Sequence, residues 1–266
     1  MATRPGMDKD TKIGGNASQF PLTRWSAIEA ARSDNPKERT RALEVLVRAY
    51  WKPVYKTIRV KWRKGNEDAK DLTQAFFMTA LEKDYFKNFD PTKARFRTYL
   101  RTCLHGFIAN SERAAGRIKR GGDRQILSLD FEGAETELAF SQAAENQTAE
   151  DFFYHEWVRQ LFVLSVEELR DTLASQDRTI CFLIFERYDL QNETDEPTYE
   201  TLAAEFKLHV TQVTNNLARA RREFRRILLQ KLREITMTET EFQNEASSLL
   251  GLHFETARPA QKSELE

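Results

Sequence analysis

Between residues 43 and 62 an apolar side chain returns at every third or fourth position: Leu43, Leu46, Val47, Tyr50, Trp51, Val54, Tyr55, Ile58 and Trp62. This period places them all on one stripe of an α-helix, and the stripe has to be hidden against another element. The period returns in Leu72, Phe76, Ala80 and Leu81, and again in Phe96, Tyr99, Leu100, Cys103, Leu104, Phe107 and Ile108. No segment of this half alternates as a half-buried strand does. Helices packed on helices are therefore expected, and the fold class is all-α. Pro53 falls inside the first stripe and should kink or split its helix. Gly65-Asn66 should end that helix. The next is expected over about 67–85, followed by a loop at 88–92, because Asp90-Pro91 disfavours helix.

Residues 1–19 are polar, carry Gly14-Gly15 and have no apolar core, so they read as a disordered arm rather than a signal peptide or membrane anchor. A first helix is expected near Thr23-Arg24-Trp25, with Asn35-Pro36 breaking it. The helix carrying Phe96 should end before Gly121-Gly122. Residues 123–150 are acidic, polar and irregular, a flexible linker with one apolar anchor, Ile126-Leu127-Ser128-Leu129. Helices follow over 152–174 and 178–188, then an acidic loop over 189–197 and a short helix over 199–206. A break at Lys207-Leu208-His209 leads into a long helix that runs to Ile235. Short helix, tight break and long helix make a helix-turn-helix pattern, with small Ala203 at the crossing and Val213 and Leu217 packing back. A last helix is expected over 239–250, fraying beyond it. A chain of 266 residues can hold two modest helical domains, 20–122 and 151–235, joined by the linker and followed by an extension over 236–266.

Net charge is zero, so bulk charge is silent about nucleic acid, but its distribution is not. Lys93, Arg95, Arg97, Arg101, Arg113, Arg117, Lys119 and Arg120 face only Glu112 in one stretch. Lys207, Arg219, Arg221, Arg222, Arg225, Arg226, Lys231 and Arg233 face only Glu223 in the other. Acid gathers instead in the linker and in the C-terminal extension. His105, His155, His209 and His253 are scattered without metal-ligand spacing, and no phosphate loop or Gly-x-Ser-x-Gly occurs. Cys103 and Cys181 sit among apolar neighbours and read as free thiols in a reducing compartment. No apolar run approaches a membrane span. A soluble, cytoplasmic, non-enzymatic protein is expected, with no catalytic residue, metal or cofactor.

The exposed face of the second basic helix offers Thr211, Gln212, Thr214, Asn215, Arg219 and Arg222. Gln, Asn and Arg pair bidentately with base edges, and Thr reaches bases or phosphates. In the first basic region Phe86, Phe89, Phe96 and Tyr99 cluster about a loop flanked by Arg95, Arg97 and Arg101. Rings for stacking beside arginines for phosphates are what single-stranded DNA binding requires. Half or more of these rings fit the core; Phe89, at the loop border, is the one expected to be exposed. Asn110 can bond a base edge or simply backbone.

The run Asp68-Ala69-Lys70-Asp71-Leu72-Thr73-Gln74, then Phe89-Asp90-Pro91 with Arg95-Phe96-Arg97 and Leu100, then Asn110 and Arg113, resembles the bacterial extracytoplasmic-function sigma factors of RNA polymerase. It is most similar to the group common in planctomycetes, which also shows Phe20-Pro21, Thr23-Arg24-Trp25-Ser26, Tyr50-Trp51, Pro53 and Lys119-Arg120-Gly121-Gly122. Residues 210–222, with Leu217-Ala218-Arg219-Ala220-Arg221, resemble the family's minus-thirty-five reader. The resemblance covers about 20–250. It implies a factor that binds core polymerase and directs promoter recognition, DNA melting and transcription initiation, with 20–122 as sigma domain 2 and 151–235 as sigma domain 4. Asp68, Asp71 and Gln74 would dock on the clamp helices of the β′ subunit, and the β flap would be a second polymerase contact. Phe89, with Phe96 and Asn110, would serve a pocket for a flipped minus-ten base, whose unstacking costs a few kcal/mol. Arg95, Arg97, Arg101, Arg113 and Arg117 would follow the phosphates. Promoter DNA and core polymerase are the implied partners, with an anti-sigma factor or a Ser/Thr kinase as candidate regulators and no membrane. Lys70 stands where an acid is common and Gln212 where Thr is more usual. Lys207 stands where the turn often has Gly, so it either takes a left-handed conformation at a cost or adopts another turn.

Two other readings stay open on the residues alone. A helix-turn-helix regulator acting on closed duplex without core polymerase needs neither the acidic face nor the aromatic loop. A resolvase-type strand-transfer enzyme needs a nucleophile among arginines, for which Tyr99 is the only fit. The acidic stretches 132–150 and 239–255 are each placed to fold back on the basic helices and mask them.

Overall fold

The computed structural model describes residues 26–114, 129–139, 147–191 and 197–251. All regular structure among these residues is helical. The expected arm at 1–19, the motif at 20–25, Arg117, the Lys119 to Gly122 run, most of the linker anchor and of the 189–197 loop, and the frayed end lie outside them.

Helix α1 (Ala27–Ala30) begins two residues after Trp25, with Ser26 Oγ accepting the Glu29 N–H at 3.2 Å. Asn35 caps α2 (Pro36–Lys61) through the Lys37 N–H at 3.1 Å. Pro36 at the first helical position gives up only an N–H that has no helical partner. The helix α2 continues through Pro53 instead of splitting there. A proline inside a helix costs about 3 kcal/mol or more, through the lost hydrogen bond and a ring clash. Tyr50, Trp51, Val54, Tyr55 and Ile58, buried around Pro53, offset that cost by packing. It also ends at Lys61, before Gly65.

Helix α3 (Asn66–Glu82) buries Ala69, Thr73, Phe76, Phe77 and Ala80. After the loop comes α4 (Phe96–Ala114), whose Phe96, Leu100, Leu104 and Ile108 are buried at helical spacing. Helix α5 (Phe131–Ala139) corrects the reading of 123–150 as irregular throughout. Its acid has partners that local sequence does not reveal. Glu135 takes the Arg59 fork at 2.6 and 2.8 Å and the Tyr55 hydroxyl at 2.7 Å. Glu137 takes Lys52 and Lys56, each at 2.6 Å. The Phe131 ring meets Trp51 and Tyr55 at 5.4 and 5.0 Å.

Helix α6 (Ala149–Ser175), capped by Thr148, packs along α2. Phe153, Trp157 and Leu161 are buried, and Gln160 donates to the Arg48 carbonyl at 2.9 Å. In the seam Lys56, 1 % exposed, bonds Glu156 at 2.7 Å and Glu137 at 2.6 Å. The buried side chains of both halves join in one continuous core. Helix α7 (Thr179–Phe185) runs into a π-helical turn, Glu186–Leu190. Arg221, buried on α9, grips Asp189 of that turn with two bonds at 2.9 and 2.7 Å.

Helices α8 (Tyr199–Phe206) and α9 (Val210–Glu234) have the expected break between them. Lys207 takes the left-handed conformation, φ 54° and ψ 47°. The Leu208 N–H returns to the Ala203 carbonyl at 2.9 Å, so the chain turns as it would at a glycine. Ala203, Val213 and Leu217 are buried at the crossing. Helix α10 (Glu239–Leu250) starts on Thr238 and closes on Gly251, whose φ of 62° suits a residue without Cβ.

Candidate functional site

Helix α3 carries the acidic face. Because its inward positions are Ala69, Thr73, Phe76, Phe77 and Ala80, Asp68 and Asp71 are left exposed and Gln74 half-buried on the other side. Lys70 pairs with Glu67 at 2.8 Å within the same helix, so it offsets one of the neighbouring acids. The Asn66 side-chain amide, in the first turn, lies 2.8 Å from the Tyr55 hydroxyl and places the start of α3 against α2.

The aromatic loop follows. Asp90 accepts the Thr92 N–H at 3.0 Å and its hydroxyl at 2.6 Å, an Asx turn. Those two bonds hold the Asp90 carboxyl below the usual range. Phe89, expected to be exposed, is buried at 3 %. Its ring meets Phe96 edge-on at 5.2 Å and Tyr99 at 5.3 Å, and Phe96 in turn meets Tyr50 at 5.5 Å. Burial of apolar aromatic area outweighs its position beside a loop. Arg32, just past the end of α1, fixes the loop by donating to the carbonyls of Phe86, at 3.2 Å, and Phe89. That role was not visible in the sequence, because Arg32 stands far from the loop along the chain.

Helix α4 presents the arginines, and most of them are engaged. Arg95 and Arg97 both donate to Glu245 of α10, at 3.0 and 2.9 Å. The Arg97 guanidinium also lies 4.4 Å over the Tyr154 ring and 5.5 Å from that of Trp157. Arg101 pairs with Glu150 at 3.1 Å. Asn110 and Arg113 are exposed towards the end of the helix. Tyr99 donates its hydroxyl to the Tyr85 carbonyl at 2.9 Å, and burial pushes its phenol pKa up. Both effects oppose use of that oxygen as a nucleophile.

On α9, Thr211, Gln212, Asn215, Arg219 and Arg222 are exposed and Thr214 is half-buried, all clear of the buried Val213–Leu217–Ala220 side. The Gln212 carbonyl oxygen accepts the His209 N–H at 2.9 Å, so this residue also caps its own helix. Among the described residues no cluster of His, Cys, Asp and Glu could hold a metal ion, and no helix is long and apolar enough to cross a membrane.

The segment holding α3, the aromatic loop and the described part of α4 is also the segment that other proteins illuminate. Residues 46–118 match the family model described as Sigma-70 region 2. The match supports a sigma factor of the sigma-70 type and, with it, a general role in transcription initiation with RNA polymerase. No curated protein and no solved structure matches the chain. The matched stretch begins within α2, takes in the acidic face and the loop, and ends past Ala114.

Proposed function

We propose that this protein is a sigma factor of the extracytoplasmic-function type, in the planctomycete group, that brings core RNA polymerase to a two-part promoter and melts it. The observation that carries the reading is the order of surfaces in the region 2 segment: exposed acid on α3, an aromatic-lined loop, then arginines on α4. A helix-turn-helix with a polar outer face follows it in the same chain. Asp68, Asp71 and Gln74 dock on the β′ clamp helices, with the β flap as a second contact. Asn110, exposed on α4, serves the flipped minus-ten base, with the buried Phe89 and Phe96 fixing the loop beneath it rather than stacking on it, and Arg95, Arg97, Arg101, Arg113 and Arg117 neutralise phosphates. Thr211, Gln212, Thr214, Asn215, Arg219 and Arg222 read the minus-thirty-five element in the major groove. Residues 20–122 and 151–235 are the two functional domains, and the factor works in the cytoplasm without catalysis of its own. An anti-sigma factor or a Ser/Thr kinase would be its regulator.

Asp71→Lys tests the docking role. Reversing one exposed charge in a complementary interface should weaken capture of core polymerase by about tenfold, or 1.4 kcal/mol, with duplex DNA binding unchanged. Promoter-directed transcription that survives this change would favour a regulator that acts without core polymerase.

A further inference from the structure

Glu245 is the most enclosed acid of α10, its side chain only 2 % exposed. One of its oxygens accepts from both Arg95 and Arg97, at 3.0 and 2.9 Å. One turn earlier Glu241 accepts the Phe96 N–H, in the first turn of α4, at 2.9 Å and the Met237 N–H at 3.1 Å. Two arginines and a backbone N–H at a helix N-terminus are the donors a phosphate seeks, and here two carboxylates hold them. The seat is imperfect for its occupant. The second oxygen of Glu245 is buried with no hydrogen-bond partner among the described residues. Burial, opposed by the two backbone N–H bonds, pushes the Glu241 pKa up. A buried carboxylate left half-satisfied is held less firmly than its ion pairs alone imply.

The other acidic stretch is spent mainly on α2, where Glu135 and Glu137 of α5 hold Arg59, Lys52 and Lys56; only its last residue, Glu150, reaches α4, at Arg101. The outward face of α9 keeps Thr211, Gln212, Asn215, Arg219 and Arg222 exposed. Among the arginines read as DNA ligands, α10 therefore covers only those at the start of α4; its other ion pair, Glu239 with Arg233 at 2.6 Å, lies at the far end of α9. Only residues 235–238 separate α10 from α9, so the tether keeps these carboxylates at high effective concentration.

We propose that α10 is a built-in competitor for DNA, in which Glu245 occupies the place of a minus-ten phosphate and must leave before Arg95 and Arg97 engage the strand. The inference rests on the reading of those arginines as DNA ligands.

The test uses the full chain and a fluorescent single-stranded oligonucleotide, with anisotropy read over a range of salt. Glu245→Gln keeps the shape and removes the charge. Its affinity should rise about tenfold, with a salt slope steeper by roughly 0.7 for each phosphate gained. Adding Arg95→Ala and Arg97→Ala should abolish the gain. A second readout needs no variant: amide exchange over 239–250 of the wild-type chain should speed up when the oligonucleotide saturates it. Unchanged or weaker binding by Glu245→Gln, or unchanged exchange in α10, overturns the proposal. If the arginine substitutions weaken binding while Glu245→Gln changes nothing, only the competitor role falls. If they change nothing in either background, the DNA reading of Arg95 and Arg97 falls and the competitor role falls with it.

Discussion

Lys56 brings an ammonium into the seam between α2 and α6, where only carboxylates can compensate it. Glu156, 3 % exposed, and Glu137 do so at 2.7 and 2.6 Å. Removing one partner of a buried pair leaves an uncompensated charge, so Lys56→Ala should lower stability by about 3–5 kcal/mol, read from urea denaturation. A loss below about 1 kcal/mol would mean that water reaches the seam. What is legible at this scale depends on how local the cause is. The cost at Lys207 was legible because the turn is set by its neighbours, and the residue does take the left-handed conformation. The burial of Phe89 was not, because Arg32 and Tyr50, which help to enclose its cluster, lie far away along the chain.

Among the elements, α8, α9 and α10 match their expected spans, and the structure adds their caps: Thr198 and Thr238 accept N–H groups three residues on, and Gly251 stops α10. Helix α5 was not legible, since its stabilising contacts are with α2. Its hold should depend on acid. The Arg59 fork holds the Glu135 carboxyl below its usual range. Such a group stabilises the fold above its unfolded value of about 4.3, and the contribution disappears as pH falls through the lower folded value. Wild type should therefore denature at higher urea than Glu135→Gln at pH 7, with the gap closing in stronger acid. A gap that widens on acidification would show that Glu135 is protonated more readily when folded. Pro53 teaches the same lesson in reverse: a strong local breaker sits inside α2 because tertiary burial overrides it.

At the scale of the molecule, α2 packs against α1, α3, α5 and α6, and α9 gathers α6, α7, α8 and α10. The surfaces assigned to function sit around this frame, with acid on α3, arginines on α4 and the polar face of α9. Their order along the chain was readable because each is a short motif on one helix. That α10 lies on the arginines of α4 was readable only as one of two options for the acidic stretches, since charge pattern does not say which basic helix an acidic one meets. On the proposed function these surfaces act together only on core polymerase. The most direct measurement is selection from a randomised promoter library with purified bacterial core polymerase, this protein, or both. Enrichment of a two-part element only when both are present is the expected result; enrichment of the same sequences by the protein alone would contradict it.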